Sequence, residues 1–238
     1  MKAKTELLLH RLIWITGKFG TPTFWNLTRD FDLWAYHSGL YRRIQYLQAQ
    51  GLVETQKSGF KKDRFVRLTE AGRRIALGGR DPEDYWQTKW DKKWYLFLFD
   101  LPAHEVALRR NFLRTLRAAG CGCLQGSVWI SPRIEPELSR FIREKGEDCS
   151  HLITLEADSK GTKVDQKMVE SAWKFSEINH SYREHQAVLK AFPQKANELR
   201  ELSEWAELEY DSWQTAVKKD PLLPKDLHPS GYLGMKVW

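Results

Sequence analysis

The pattern of hydrophobic and polar positions is clearest in the middle of the chain. The segment Trp94–Phe99 is apolar at every position, which predicts a strand covered on both faces. The residues Glu105–Ala119 then predict an amphipathic helix, because apolar positions recur at i, i+4 and i+8. The apolar stripe of that helix consists of Leu108, Phe112 and Leu116. The opposite stripe is basic and consists of Arg110, Arg114 and Arg117.

After this helix the pattern changes to short strands. The pattern predicts a hairpin formed by residues 121–124 and 128–131. It then predicts a second helix over residues 135–145 and a final strand, which is not long, over residues 151–156. The order β-α-β-β-α-β is the ferredoxin-like arrangement, in which the helices cover one face of the sheet. Since the first strand is apolar on both sides, we expect the other face to pack against another domain or a second copy.

The N-terminal third shows a different pattern. Helical spacing runs over residues 5–16, a short second helix ends near residue 31, and a third covers residues 37–50. Residues 52–56 and 64–68 then predict two strands joined by a polar, basic loop. Three helices followed by a hairpin predict a winged helix-turn-helix domain over residues 1–80.

The breaks in the pattern divide the chain into three predicted domains. Glycine, proline and charged residues at 78–82 and 158–162 mark linkers, so a central domain is predicted over residues 88–158. Residues 162–238 predict a C-terminal helical domain, with helices at 164–180, 182–192 and 194–219. Its proline-punctuated end, residues 220–229, cannot be helical throughout. The predicted fold class is α+β.

Charge is distributed unevenly along the chain. Of the formal net charge of +7 over 238 residues, residues 1–80 hold 15 Lys plus Arg against 6 Asp plus Glu, a balance of +9. The remaining residues therefore balance to −2. This asymmetry favours a polyanion-binding head on a more neutral body, although a solvated basic surface gives the same numbers.

The composition further restricts the class of protein to which the chain can belong. With 42% hydrophobic residues and 11 Trp, the chain can form extensive cores. No apolar run approaches the roughly 20 residues that span a bilayer, so a cytoplasmic protein without a membrane association is expected. The three cysteines fit neither a disulfide framework nor a four-ligand zinc site, and buried thiols are the expected state. No metal or cofactor is predicted.

A winged helix-turn-helix suggests where double-stranded DNA would bind. The third helix would enter the major groove, and its predicted outward stripe consists of Ser38, Tyr41, Arg42 and Gln45. Arg42 is suited to the bidentate contact with guanine. The hairpin would contact backbone phosphates through Lys57, Lys61, Lys62 and Arg64. The alternative is a winged domain used for protein contacts, for which a polar stripe would be equally ordinary.

Three sequence motifs resemble the PaaX family of bacterial transcriptional repressors, which control phenylacetate breakdown. The first motif is GLVETQ, followed by the hairpin and FVRLTEAGRR. The second motif is WYLFLFDLP, followed by the arginine-rich helix and SVWISP. The third motif is DPLLPKDLHPSGYLG. The resemblance covers nearly the whole chain. It implies a homodimeric repressor of a catabolic operon that binds a palindromic operator. It also implies release by an acyl-coenzyme A thioester such as phenylacetyl-CoA.

An enzymatic alternative depends on Asp100. The central domain is similar to the small ferredoxin-like, nuclease-related proteins of CRISPR systems, in which an aspartate ends the first strand, as Asp100 does here. Metal-dependent phosphodiester hydrolysis needs several carboxylates, and the sequence has no second acidic motif nearby. A turn residue is the simpler interpretation of Asp100. No catalytic residue is therefore predicted, and the chain is expected not to be an enzyme.

Overall fold

A computed structural model describes residues 9, 12, 41–57, 64–77, 79–100, 105–146, 152–192 and 199–237. The chain forms two compact units, one of residues 1–81 and 185–214 and the other of residues 82–184 and 215–238. Helices are combined with antiparallel sheets, which confirms the predicted α+β class. Over the described ranges, no helix is both long and apolar enough to cross a membrane. The division into three domains stays a prediction.

The described part of the head contains one hairpin between two helices. Its elements are α1 (Tyr41–Ala49), β1 (Val53–Lys57), β2 (Arg64–Leu68) and α2 (Glu70–Ala76). The two strands confirm the predicted hairpin, whereas α2 was not predicted. The helices predicted before residue 37 lie outside the described residues, apart from Leu9 and Leu12, which are helical and buried.

The second unit contains a four-stranded antiparallel sheet. After α3 (Pro82–Gln87) come β3 (Lys93–Phe99), α4 (Val106–Ala118), β4 (Gly122–Gln125), β5 (Val128–Ser131), α5 (Pro136–Gly146) and β6 (Leu152–Asp158). The strands lie in the order β4-β5-β3-β6 with antiparallel neighbours. The predicted β-α-β-β-α-β order is thus observed. The final strand is longer than predicted, because all seven of its residues pair with β3.

One face of this sheet forms a core with α4 and α5. Phe112 packs edge-on against Phe99, with ring centroids 4.8 Å apart, and stacks on Phe141 at 5.7 Å. The buried residues of this core include Phe97, Phe99, Phe112, Leu116, Trp129 and Leu138. The apolar stripe predicted for α4 therefore does face the sheet.

The other face is covered at one end by the chain itself. The Trp94 side chain is 1% exposed, and its indole nitrogen donates to Asp165 Oδ1 at 2.9 Å. Asp165 belongs to α6 (Thr162–Ala172). Farther along the same face, Ile153 and Leu155 of β6 remain 54% and 48% exposed. At β4, Gly122 lies against Trp173 and Ala172, and Ile130 of β5 on the same face is 0% exposed. Among the described residues, the expected cover is thus found over Trp94, β4 and β5 but not over Ile153 and Leu155 of β6.

The C-terminal helices break at a different place from the one predicted. A single helix was predicted over residues 164–180, but α6 ends at Ala172 and α7 covers Phe175–Lys190. Trp173 takes an extended backbone, and its indole nitrogen donates to the Gly120 carbonyl at 3.0 Å. The break is therefore caused by a tertiary contact. The remaining elements are α8 (Leu199–Lys219), a 3₁₀ turn (Lys225–Leu227) and α9 (Gly234–Val237).

The described cysteines are free thiols. Cys121 is buried, and burial raises its pKa to about 12, so the thiol is protonated and unreactive at neutral pH. Cys123 is half-buried. The prediction of buried thiols is confirmed for Cys121, while Cys149 lies outside the described residues.

Candidate nucleic-acid interface

Helix α1 has one buried and one exposed face. Ile44 and Leu47 are 5% and 0% exposed and belong to the core of the head. The other members of that core are Leu9, Leu12, Leu52, Val53, Leu68 and Ala76. Arg42 and Gln45 lie on the exposed side of the helix, as predicted. Their role in DNA binding stays a prediction.

The hairpin brings two predicted phosphate-binding residues opposite each other. In the antiparallel register of β1 and β2, Lys57 is the cross-strand partner of Arg64 at the end next to the connecting loop. The role of these two residues in phosphate binding stays a prediction.

Several predicted site residues fall outside this description. Three of them lie outside the described residues: Ser38, Lys61 and Lys62. For three others the structure describes the backbone but not the side chain: Tyr41, Lys57 and Arg64. For these six residues the predicted contacts stay predictions.

A small cluster of contacts holds the hairpin against α1 and α2. The Thr69 hydroxyl donates to the Gly51 carbonyl at 2.7 Å and accepts from the Gly72 amide at 3.1 Å, which caps α2. Gly51 ends α1 with a left-handed φ of 69°. A Cβ on Gly72 would lie only 1.8 Å from the Leu52 carbonyl oxygen. The first family motif thus encodes the connection between the helix and the hairpin.

Asp100 is exposed and follows β3 directly. Within the part of the chain that the structure describes, no group of three or more His, Cys, Asp or Glu side chains could hold a metal ion. Neither observation supports the nuclease alternative.

A buried carboxylate that the sequence interpretation missed lies in the third motif. Asp220 is 1% exposed, and its Oδ2 atom accepts from the hydroxyls of Tyr182, at 2.6 Å, and Tyr232. Its Oδ1 atom accepts from the Leu222 amide at 2.8 Å. Burial and the negative charge of Asp220 raise the pKa of both tyrosines well above the ordinary value of 10.0. Both hydroxyls are therefore protonated donors at neutral pH, and they stabilise the buried charge.

Further contacts fix the same segment. Arg133 donates to the carbonyls of Pro221, at 3.1 Å, and Leu222, at 3.0 Å, and forms an ion pair with Glu135. Leu222 has a left-handed φ of 51°, a strained conformation for leucine that these contacts maintain. A Cβ on Gly234 would lie 2.1 Å from the Tyr232 hydroxyl oxygen. The third motif thus encodes a packing arrangement within the second unit.

These observations define an α+β protein that joins a hairpin-bearing head to a β-α-β-β-α-β domain. Residues 87–169 match the family model described as the PaaX protein central Cas2-like domain. This match confirms the resemblance to the PaaX family. Among solved structures, a protein described as "Uncharacterized protein Rv0674 from Mycobacterium tuberculosis" is similar, with 15% identity and a TM-score of 0.48. That alignment covers 99% of this chain and 91% of the other. No curated protein matches the chain.

Proposed function

We propose that the chain is a DNA-binding regulator of transcription whose head is a winged helix-turn-helix. The PaaX match favours a regulator, since that family is regulatory. The observation that carries the DNA-binding part is the head itself, where an antiparallel hairpin follows a helix that exposes Arg42 and Gln45. The balance of +9 over residues 1–80 supports the same proposal, because phosphate neutralisation dominates affinity for DNA.

In this proposal the two parts of the head have different tasks. Helix α1 lies in the major groove, where Arg42 and Gln45 contact base edges and determine sequence preference. The hairpin contacts phosphates through Lys57, Arg64 and the connecting loop, and so fixes the orientation of the head on the duplex.

The proposed assembly is a homodimer on a palindromic operator. A two-fold operator is matched by a two-fold protein, since each head reads one half-site. The exposed Ile153 and Leu155 supply an apolar surface on β6, which is an edge strand of the sheet. A second copy of the same surface would bury these side chains.

The proposed effector is an acyl-coenzyme A thioester that releases a repressor from the operator. A ligand can do this only if it binds the non-binding conformation more tightly than the DNA-bound one. The same ligand should therefore raise the thermal stability of the free protein and weaken DNA binding together. A panel of acyl-CoA thioesters, measured by both assays, tests this part of the proposal.

The experiment that tests DNA binding compares two variants on two duplexes. Genomic fragments bound by the purified protein first supply an operator, and fluorescence anisotropy then measures affinity at several salt concentrations. Arg42→Ala should lose about 1–3 kcal/mol on the operator and little on a scrambled duplex, because it removes a base contact. Replacing Lys61 and Lys62 by alanine should weaken both duplexes alike and reduce the salt slope by roughly 0.9 for each lost phosphate contact.

Arg74→Ala is the matched control. It removes one exposed charge from the same unit, on α2, where Arg74 pairs only weakly with Glu70 at 3.4 Å. Its effect on DNA binding should be small. Equal losses on both duplexes for Arg42→Ala would mean that α1 does not read bases, and absence of any bound fragment would refute DNA binding.

A further inference from the structure

Helix α4 carries a concentrated positive charge outside the head. Its 13 residues include Arg109, Arg110, Arg114 and Arg117 and no acidic residue. It lies in the part of the chain that has an overall balance of −2. The neighbouring α5, by contrast, mixes Glu137 and Glu144 with its basic residues. The charge on α4 is thus not a general property of this domain.

The arginines are exposed and lie outside the face of α4 that packs on the sheet. Phe112 and Leu116 are 3% and 0% exposed, and Arg110, Arg114 and Arg117 lie on the opposite side of the helix. These three form a stripe, called the arginine stripe below, that spans roughly 10 Å along the axis at about 1.5 Å per residue. The sheet core therefore presents the stripe on a rigid element.

Two of the arginines in the stripe contact neutral side chains. Arg114 donates to the Asn111 side-chain oxygen at 2.7 Å, and the Arg117 guanidinium lies 5.5 Å from the centre of the Trp129 ring. Within the described part of the chain, none of the three has a carboxylate within 4.0 Å. Their orientation is restrained while their charge remains uncompensated.

This arrangement is unfavourable for an isolated helix. Arg110 and Arg114 are like charges at i and i+4, which repel each other, and Arg109 lies in the first turn, where the helix dipole disfavours a cation. A helix that needed only solubility would place acidic residues among the basic ones. A bound polyanion would remove the repulsion, and several phosphates in a row fit a stripe better than a single anion does.

We propose that the arginine stripe of α4 binds the phosphate backbone of the DNA beside the site occupied by the head. This inference rests on the proposed function, since binding of the head would keep the central domain at a high effective concentration near the duplex. The contact would add affinity and salt dependence without sequence preference, because phosphates carry no sequence information.

The test compares duplexes of two lengths. One ends at the borders of the bound site, and the other continues for one further helical turn, about 10 bp, on each side. The wild-type protein should bind the longer duplex more tightly and with a steeper salt slope. The triple variant Arg110→Gln, Arg114→Gln and Arg117→Gln should lose this gain, with a slope lower by up to about 2.7 at roughly 0.9 per contact. It should bind the short duplex as the wild type does.

The matched control removes the same charge elsewhere in the second unit. Arg140, Arg143 and Arg183 are exposed, and their replacement by glutamine should preserve the gain on the longer duplex. The charge reversal Arg110→Glu provides a second, independent variant, which should also lose the gain. Circular dichroism checks that each variant is folded.

Each of four results would overturn the inference. A triple variant that keeps the length-dependent gain would show that the stripe does not contact DNA. Equal losses in the triple variant and its control would show a net-charge effect alone. A triple variant that no longer responds to acyl-CoA but still binds the longer duplex more tightly would show that the stripe binds the effector instead of DNA. A wild-type protein that binds neither duplex would refute the proposed function, and this inference with it.

Discussion

Replacing Tyr182 by phenylalanine should destabilise the second unit by removing one donor from a buried carboxylate. Tyr182 is 0% exposed, and its hydroxyl donates to Asp220 at 2.6 Å. A hydrogen bond to a charged group contributes about 1.5–3 kcal/mol, and Asp220 would keep its contacts with Tyr232 and the Leu222 amide. The free energy of unfolding should therefore fall by that amount, which lowers Tm by roughly 3–10 °C.

The same variant should change how stability depends on pH. The pKa of Tyr182 is raised in the folded chain by burial and then by the charge of Asp220, so the folded state binds the phenolic proton more tightly than the unfolded state does. The resulting stabilisation is fully present below the ordinary pKa of 10.0 and is lost as pH rises above it. Each such tyrosine adds about 1.4 kcal/mol per pH unit to that loss. Tyr182→Phe should therefore show a shallower decline of stability above pH 10.

Urea unfolding and calorimetry between neutral pH and pH 11 provide the measurements. Tyr95→Phe is the control in the same unit, because the Tyr95 side chain is half-buried and its hydroxyl makes no hydrogen bond among the described residues. This control should leave stability nearly unchanged. A loss below about 0.5 kcal/mol for Tyr182→Phe, with an unchanged alkaline slope, would refute the argument that the tyrosine hydroxyls stabilise Asp220.

Three further predictions follow from other parts of the chain. Gly72→Ala should cost about 3 kcal/mol or more, measured as a fall in Tm, because its Cβ would overlap the Leu52 carbonyl. Neither the wild-type protein nor Asp100→Ala should cleave duplex DNA in the presence of magnesium or manganese. Metal-dependent cleavage by the wild type that Asp100→Ala abolishes would restore the nuclease alternative. If the proposed homodimer forms through β6, replacing Ile153 and Leu155 by lysine should yield monomers in sedimentation equilibrium, whereas an unchanged dimer would place the interface elsewhere.

Local patterns predicted the central sheet well. The uninterrupted apolar segment of β3 and the i, i+4, i+8 spacing of α4 each depend on residues close in sequence, and both elements lie within one residue of their predicted ends. The break between α6 and α7 was predicted at the wrong place. No glycine or proline marks it, since Trp173 leaves the helix to donate to Gly120, 53 positions earlier in the chain. Periodicity contains no signal for such a contact.

The buried carboxylate shows a second limit of sequence patterns. Asp220 precedes a proline, which ordinarily indicates an exposed turn, and its tyrosine partners lie 38 positions before it and 12 after it. A weaker signal was available in Gly234. A glycine in a short terminal helix is otherwise costly, and here it leaves room for the Tyr232 hydroxyl. A pair of tyrosines beside an aspartate and such a glycine would have been grounds to expect a buried polar network.

Strand β3 also shows what alternation predicts about surfaces. Alternation indicates which residues share a face, and the apolar residues on both sides of β3 correctly predicted that both faces would be at least partly buried. It does not indicate what covers each face. Helix α6 covers Trp94, whereas Ile153 and Leu155, the cross-strand partners of Leu98 and Leu96, remain exposed. A solvated edge strand ordinarily has charged residues, so the exposed Ile153 and Leu155 on β6 are the observation on which the proposed second copy depends. Their replacement by lysine tests that proposal directly.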